Sequence, residues 1–183
     1  MIEIFTKVDL GILLWVQDNL RSEYTTTFMY HITSIGSIIL AMIALYFIIK
    51  GNRSEKISGV AVLASCILEI IVVNGVLKNL IARARPFVTY DEVVPLVNIL
   101  SEHSFPSGHT ALVFSMAFVI YKLLPAIYGK VAIVIACLVG FSRVYLGVHY
   151  PSDVIAGIVV GYVVSEFIEM ISKKFYENVG EGK

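Results

Sequence analysis

The sequence predicts an all-α fold, a polytopic membrane bundle of five to six helical spans. Three observations predict it. Hydrophobic residues make up 57% of the 183 and charged residues only 15%, with a mean hydropathy of +0.82; a soluble domain carries about 25% charged residues. The apolar residues are gathered into runs rather than mixed with polar ones. The runs approach the roughly 20 residues that cross a hydrocarbon core about 30 Å thick. Five such runs leave almost nothing for a soluble body, so residues 1–183 read as a single membrane domain. The same composition excludes a disordered chain, which could not keep this much apolar surface solvated. With 14 basic and 14 acidic residues there is no net basic charge, and nucleic acid is not an expected partner.

The first element is the shortest. Residues 10–16 (LGILLWV) are apolar but flanked by Asp9 and by Gln17 and Asp18. No basic front or small-residue cleavage site marks a signal peptide, and the single tryptophan, Trp15, suits a membrane interface. Residues 1–23, with 8–20 helical, are expected to lie at the membrane surface; a short sixth span is the alternative. Residues 24–49 carry no formal charge, and 57–77 are interrupted only by Glu69. Residues 105–121 form the third run. Residues 131–148 form the fourth, broken by Arg143, and 154–172 the fifth, with Glu166 and Glu169 near its end. Residues 173–183 are expected to be a cytoplasmic tail, frayed from residue 176. Cys66 and Cys137 fall inside spans, where buried thiols are ordinary, and no Cys/His metal spacing exists. There is no internal repeat, and nothing indicates an oligomeric state.

Five spans sort the connecting segments onto two sides. One holds Lys50, Arg53, Lys56, Lys122, Lys130, Lys173, Lys174 and Lys183; the other holds Lys7, Arg21, Lys78, Arg83, Arg85 and Arg143. Lys78, Arg85 and Arg143 sit among other polar groups, as site residues do, which leaves eight basic residues against three. The positive-inside rule then places the first side in the cytoplasm.

Three stretches on the outward side carry the chemistry. Lys78 and Arg85-Pro86 follow the second run, Pro106-Ser107-Gly108-His109 opens the third, and Ser142-Arg143, His149 and Asp153 join the fourth to the fifth. Guanidinium forks match phosphate oxygens and a lysine adds a point charge. A helix start containing Gly108 offers free N–H groups and close approach to an anion. Taken singly, Lys78 and Arg85 could simply snorkel from the end of a span. Three cations beside a glycine-containing helix start point instead to an anion clamp. His149 and Asp153 are four apart, on one face of a helical turn. A carboxylate on one ring nitrogen sets the tautomer and leaves the other nitrogen as nucleophile or base, although the same pair could merely tie two spans. His109 can face the same pocket. Two histidines and one carboxylate among cations make a poor metal site, so no metal and no cofactor is expected.

Several polar residues stand apart. Glu69 lies about 13 Å down the helix from Lys78, too deep for phosphate, and reads as a structural, protonated or hydrogen-bonded group. His31 reads as an interhelical contact, and Glu166 and Glu169 as interfacial partners of Lys173 and Lys174. Gly157 and Gly161 form a small-residue stripe for helix packing. Residues 87–104 are the expected selectivity loop; Arg83, Glu102 and His103 lie on the same side without an assigned role.

In order, these stretches match K-x6-RP, PSGH and SR-x5-H-x3-D, and the chain resembles the type 2 phosphatidic acid phosphatase superfamily, which also contains vanadium haloperoxidases. The resemblance implies an acid phosphatase/vanadium haloperoxidase-like helical core and a metal-independent lipid phosphatase; the short chain and short loops point to a substrate that enters laterally from the bilayer. The resemblance also implies that His149, oriented by Asp153, attacks phosphorus to form a phosphohistidine and that His109 protonates the leaving oxygen. Lys78, Arg85, Ser107, Gly108 and Arg143 would hold the phosphate. SFPSGHT in a chain with short loops resembles bacterial undecaprenyl diphosphatases of the family, at the outer face of the plasma membrane. Phosphatidylglycerophosphate, phosphatidate and lipid A phosphatases share the motifs. A non-enzymatic lipid transporter would explain the spans but not the ordered triple.

Overall fold

The computed structural model describes residues 2–98 and 103–180, and among these every regular element is a helix, with one isolated antiparallel bridge between Ala84 and His103. Helix α1 spans Ile2–Leu20, α2 Glu23–Lys50 and α3 Arg53–Ile81. The short α4 spans Pro86–Thr89; α5 spans Gly108–Leu123, α6 Ala126–Tyr145 and α7 Pro151–Gly180. Helices α2, α3, α6 and residues 151–176 of α7 are long and apolar enough to cross a membrane, and α5 is a shorter apolar helix. These five correspond to the five apolar runs. The chain is a multi-pass membrane protein.

Local sequence accounts for the ends. Ser22 caps α2 in a capping box with Thr25, and Asn52 caps α3 in another with Glu55, so the first N–H groups of both helices are satisfied from side chains. Pro125 precedes α6 and Pro151 opens α7, where a missing N–H costs nothing.

Helix α5 is the centre of the bundle. Its main contacts are with α7, α6 and α3, and Ala111, Val113, Met116, Ala117, Val119 and Ile120 are all at most 1% exposed. Its helical residues begin at Gly108 rather than at 105, which leaves 16 residues, about 24 Å at 1.5 Å per residue. A helix wrapped by neighbours need not match the bilayer thickness itself. The predicted glycine stripe is where α7 meets it. A Cβ on Gly157 would lie 2.8 Å from the carbonyl oxygen of Ser107, and one on Gly161 would lie 2.9 Å from that of Ala111. Gly157→Val is therefore expected to destabilise the fold by about 1–3 kcal/mol, seen as a lower thermal-unfolding midpoint in detergent.

Helix α1 lies across one end of the bundle. Asp9 reaches Arg83 and Ser152, Gln17 reaches the backbone of Glu92 and Val94, and Arg21 reaches Val94 and Tyr145. The other face of α1 exposes Val8, Ile12 and Trp15. Helix α7 differs from expectation: it stays helical through Gly180 instead of fraying at residue 176. The Tyr176 hydroxyl bonds Ser58 Oγ at 2.8 Å, and Lys173 pairs with Glu169 at 2.8 Å. Lys122 also pairs with Glu166 and Glu169. His31 faces outward, edge-on to Tyr30 of its own helix, rather than meeting another span. Glu69 is buried as expected, but its Oε1 has no hydrogen-bond partner among the described residues.

Candidate active site

The three polar stretches converge at the α1 end of the bundle, each delivered by a local device. In α3, residues Ile71–Leu77 are π-helical and the Lys78 N–H bonds the Val73 carbonyl, five residues back. In an ideal α-helix at about 100° per residue, Glu69 and Lys78 would point to opposite faces. The wider π turns change that register. Lys78 comes within electrostatic range of Glu69, and its Nζ stands next to Gly108, 3.6 Å from where a Cβ would be. Ala82 then takes a left-handed conformation (φ 47°, ψ 37°) and its N–H bonds the Lys78 carbonyl. This reversal sends the chain back inward. Ser104 N–H and Oγ bond the carbonyls of Arg83 and Ala84, and Arg85 enters the protein only 3% exposed.

The turn after α6 delivers the histidine. Gly147 sits at φ +75°, where a Cβ would meet Arg21 Nη2 at 2.8 Å and the Val94 carbonyl at 2.9 Å; only glycine fits that conformation and that space together. His149 follows, 2% exposed, and Asp153 accepts the Tyr150 N–H at 3.0 Å. Asp153 thus caps α7 from its third position, as a capping-box acid does.

The resulting cavity, about 450 Å³, is lined on one side by Lys78, Arg85, Arg143, His109, His149 and Gly108, and on the other by α2 and by Val97 and Asn98. Arg85 Nη1 donates to the Val148 carbonyl at 2.8 Å and stands 3.4 Å from His149 Nε2. An arginine presents only donors, so the nitrogen facing it is the unprotonated one, and Nδ1 carries the hydrogen. Nδ1 lies 3.5 Å from Asp153 Oδ2 and has no other partner among the described residues; catalytic hydrogen bonds without substrate are often this long. Arg143 Nη1 donates to Thr33 Oγ1 at 2.8 Å while its buried Nε has no hydrogen-bond partner among the described residues. Burial pushes the His149 pKa down to about 4, with Asp153 opposing and Arg143 and Arg85 reinforcing the shift. Its imidazole is neutral at pH 7.

Seven of the eight expected site residues are thereby brought together, with Asp153 directly behind His149. Ser107 is the eighth and stands apart. It is wholly buried behind Gly108, its Oγ accepting from Thr110 at 2.9 Å and its N–H donating to the Asp153 carbonyl at 3.1 Å. Of the expected selectivity loop, Val97 and Asn98 reach the cavity; residues 99–102, with Glu102, lie outside the described residues. Sequence reasoning missed Asp9 and left Arg83 unassigned. Arg83 is paired with both Asp9 and Asp153, and the one available signal was an acid at the edge of an otherwise apolar helix. No group of three metal-ligating side chains occurs among the described residues.

Residues 58–176 match the family model described as the PAP2 superfamily. The chain belongs to that superfamily. The PAP2 domain so defined contains all three motifs, and the protein is a hydrolase of the membrane lipid phosphatase class. Over 167 residues it is 30% identical to the bacitracin transport permease protein BcrC of Bacillus licheniformis, covering 90% of this chain and 80% of that protein. Over 122 residues it is 37% identical to the undecaprenyl-diphosphatase of Sulfolobus acidocaldarius, covering 67% of this chain and 57% of that one. The crystal structure of a transmembrane PAP2 type phosphatidylglycerolphosphate phosphatase from Bacillus subtilis superposes with a TM-score of 0.70 at 28% identity, over 92% of this chain and 86% of that one. The PAP2 bundle inferred from the sequence is thus the fold of a solved membrane phosphatase.

Proposed function

We propose that the protein hydrolyses undecaprenyl diphosphate to undecaprenyl phosphate at the outer face of the plasma membrane, through a phosphohistidine on His149. One observation carries the reading: the unprotonated Nε2 of a buried neutral histidine, beside Arg85, belongs to a cavity walled by three cations. His149 Nε2 attacks the terminal phosphorus as the bond to the bridging oxygen breaks. His109 donates a proton to that oxygen, and undecaprenyl phosphate leaves. Water then attacks the phosphohistidine with His109 as base, the P–N bond breaks, and phosphate and free His149 are released. Asp153 holds the Nδ1–H through both steps. Lys78, Arg85, Arg143 and the Gly108 amide take the equatorial oxygens, where the charge of the transition state lies; Ser107 supports Gly108 from behind.

The eight-to-three distribution of basic residues supports the outward orientation, and the likeness to an undecaprenyl-diphosphatase supports the substrate. The test is phosphate release in detergent, with chelator, from undecaprenyl diphosphate, phosphatidylglycerophosphate, phosphatidate and lipid A. The highest kcat/KM is expected for the diphosphate. A preference for another lipid overturns the substrate, and no release from any overturns the reading. Because attack needs neutral His149, facing Asp153, Arg85, Arg143 and His109, the acid limb of kcat/KM is expected near pH 4. A limb near the ordinary histidine value of 6.5 would contradict the assignment.

A further inference from the structure

Asp153 is wholly buried, yet only one of its oxygens faces the histidine. Oδ1 accepts from Arg83 Nη1 at 2.7 Å, and Oδ2 accepts the Tyr150 N–H and faces His149 Nδ1. Arg83 is itself fixed on three sides. Its Nη2 donates to Asp9 Oδ2 at 2.9 Å, its Nη1 also reaches Ser152 Oγ at 2.7 Å, and its guanidinium lies 3.8 Å over the Tyr150 ring. Asp9, 5% exposed, accepts the Ser152 N–H at 2.9 Å and the Ser152 hydroxyl. Helix α1 therefore reaches the first turn of α7 through one acid, which holds both the backbone beside Asp153 and the cation that binds Asp153.

We propose that Asp9 and Arg83 are positioning residues for hydrolysis, a carboxylate–guanidinium relay that holds Asp153 so that its Oδ2 meets His149 Nδ1. A guanidinium that bridges two carboxylates, one terminal nitrogen to each, restrains the rotation of both through charge-assisted hydrogen bonds. With Oδ1 tied to Arg83, Asp153 cannot turn away from the histidine. Arg83 is no fourth phosphate ligand: both its terminal nitrogens are engaged by acids, and it does not line the cavity that Lys78, Arg85 and Arg143 line. Burial works against the charge on Arg83, and the Asp9 and Asp153 pairs outweigh it, raising its pKa.

The inference rests on the proposed phosphohistidine reading, and its test separates the two. In steady-state assays, Arg83→Gln is expected to lower kcat about 100-fold and Asp9→Asn about tenfold, by analogy with the loss of the outer partners that orient metal-ligating side chains. KM and inhibition by inorganic phosphate stay within about twofold, because the clamp is untouched. Arg83→Lys recovers part of kcat. The double variant is no slower than Arg83→Gln alone, since both act through one carboxylate. Should Arg83→Gln fail to fold, Arg83→Lys with and without Asp9→Asn carries the same comparison. Multiplying effects, or a raised KM at unchanged kcat, would overturn the relay. Full activity of His149→Ala would instead overturn the phosphohistidine reading, whatever Asp9 and Arg83 do.

Discussion

Replacing His149 by alanine is expected to reduce turnover by about 10⁴-fold or more, the scale on which removal of a catalytic nucleophile acts. The imidazole lines the cavity with its unprotonated nitrogen beside Arg85 and a carboxylate behind its other nitrogen, and no neighbour can replace it from the same position. The clamp residues remain, so inorganic phosphate should still inhibit, and residual turnover should reflect electrostatic stabilisation alone. Substrate labelled in the terminal phosphate, quenched at alkaline pH, should leave label on the wild-type chain and none on His149→Ala. Turnover near the wild-type level would show that His149 merely ties α6 to α7. Asp153→Asn is the complementary loss: it removes the charge and leaves one acceptor oxygen where Arg83 and the Nδ1–H each now face their own.

The parts of this site legible in sequence are those whose geometry is local. His149 and Asp153 lie within one capping turn, and spacing alone puts their side chains on one face; Pro151 opens its helix, and Gly108 begins another. The spans were legible because long uncharged runs have one solution in a bilayer. Gly157 and Gly161 could be read as a packing stripe because only close backbone approach makes two glycines four apart useful in a helix. What escaped was set by tertiary contact. Asp9 and Arg83 are 74 residues apart, and no periodicity announces their pairing. The π-helical stretch before Lys78 has no composition that separates it from an α-helix, yet it decides which face the lysine occupies. The burial of α5 depends on four neighbours, so its late start at Gly108 could not be seen from its own residues.

Arg143 offers the second large effect, and its sign on stability distinguishes function from structure. The guanidinium is 4% exposed, holds Thr33 with one nitrogen, and has an Nε without a hydrogen-bond partner among the described residues. Lys78 and Arg85 stand within electrostatic range, and like charges repel. A phosphoryl group in flight would bring the oxygens this fork lacks, so Arg143→Met is expected to cost 10²–10³ in kcat/KM, about 3–4 kcal/mol. Arg143→Lys should recover little, since an ammonium cannot hold Thr33 and present a planar fork together. The same Arg143→Met change removes a buried cation from a cluster of like charge, and exchanging a buried charge for an apolar group of similar volume is often neutral or stabilising. Against this stands the lost Thr33 bond, worth about 1 kcal/mol. The thermal midpoint in detergent should therefore hold or rise while activity collapses. A structural arginine would behave the other way, losing stability first and activity only in proportion. A midpoint that falls by several degrees would place Arg143 among the groups that hold the bundle, and would remove it from the clamp.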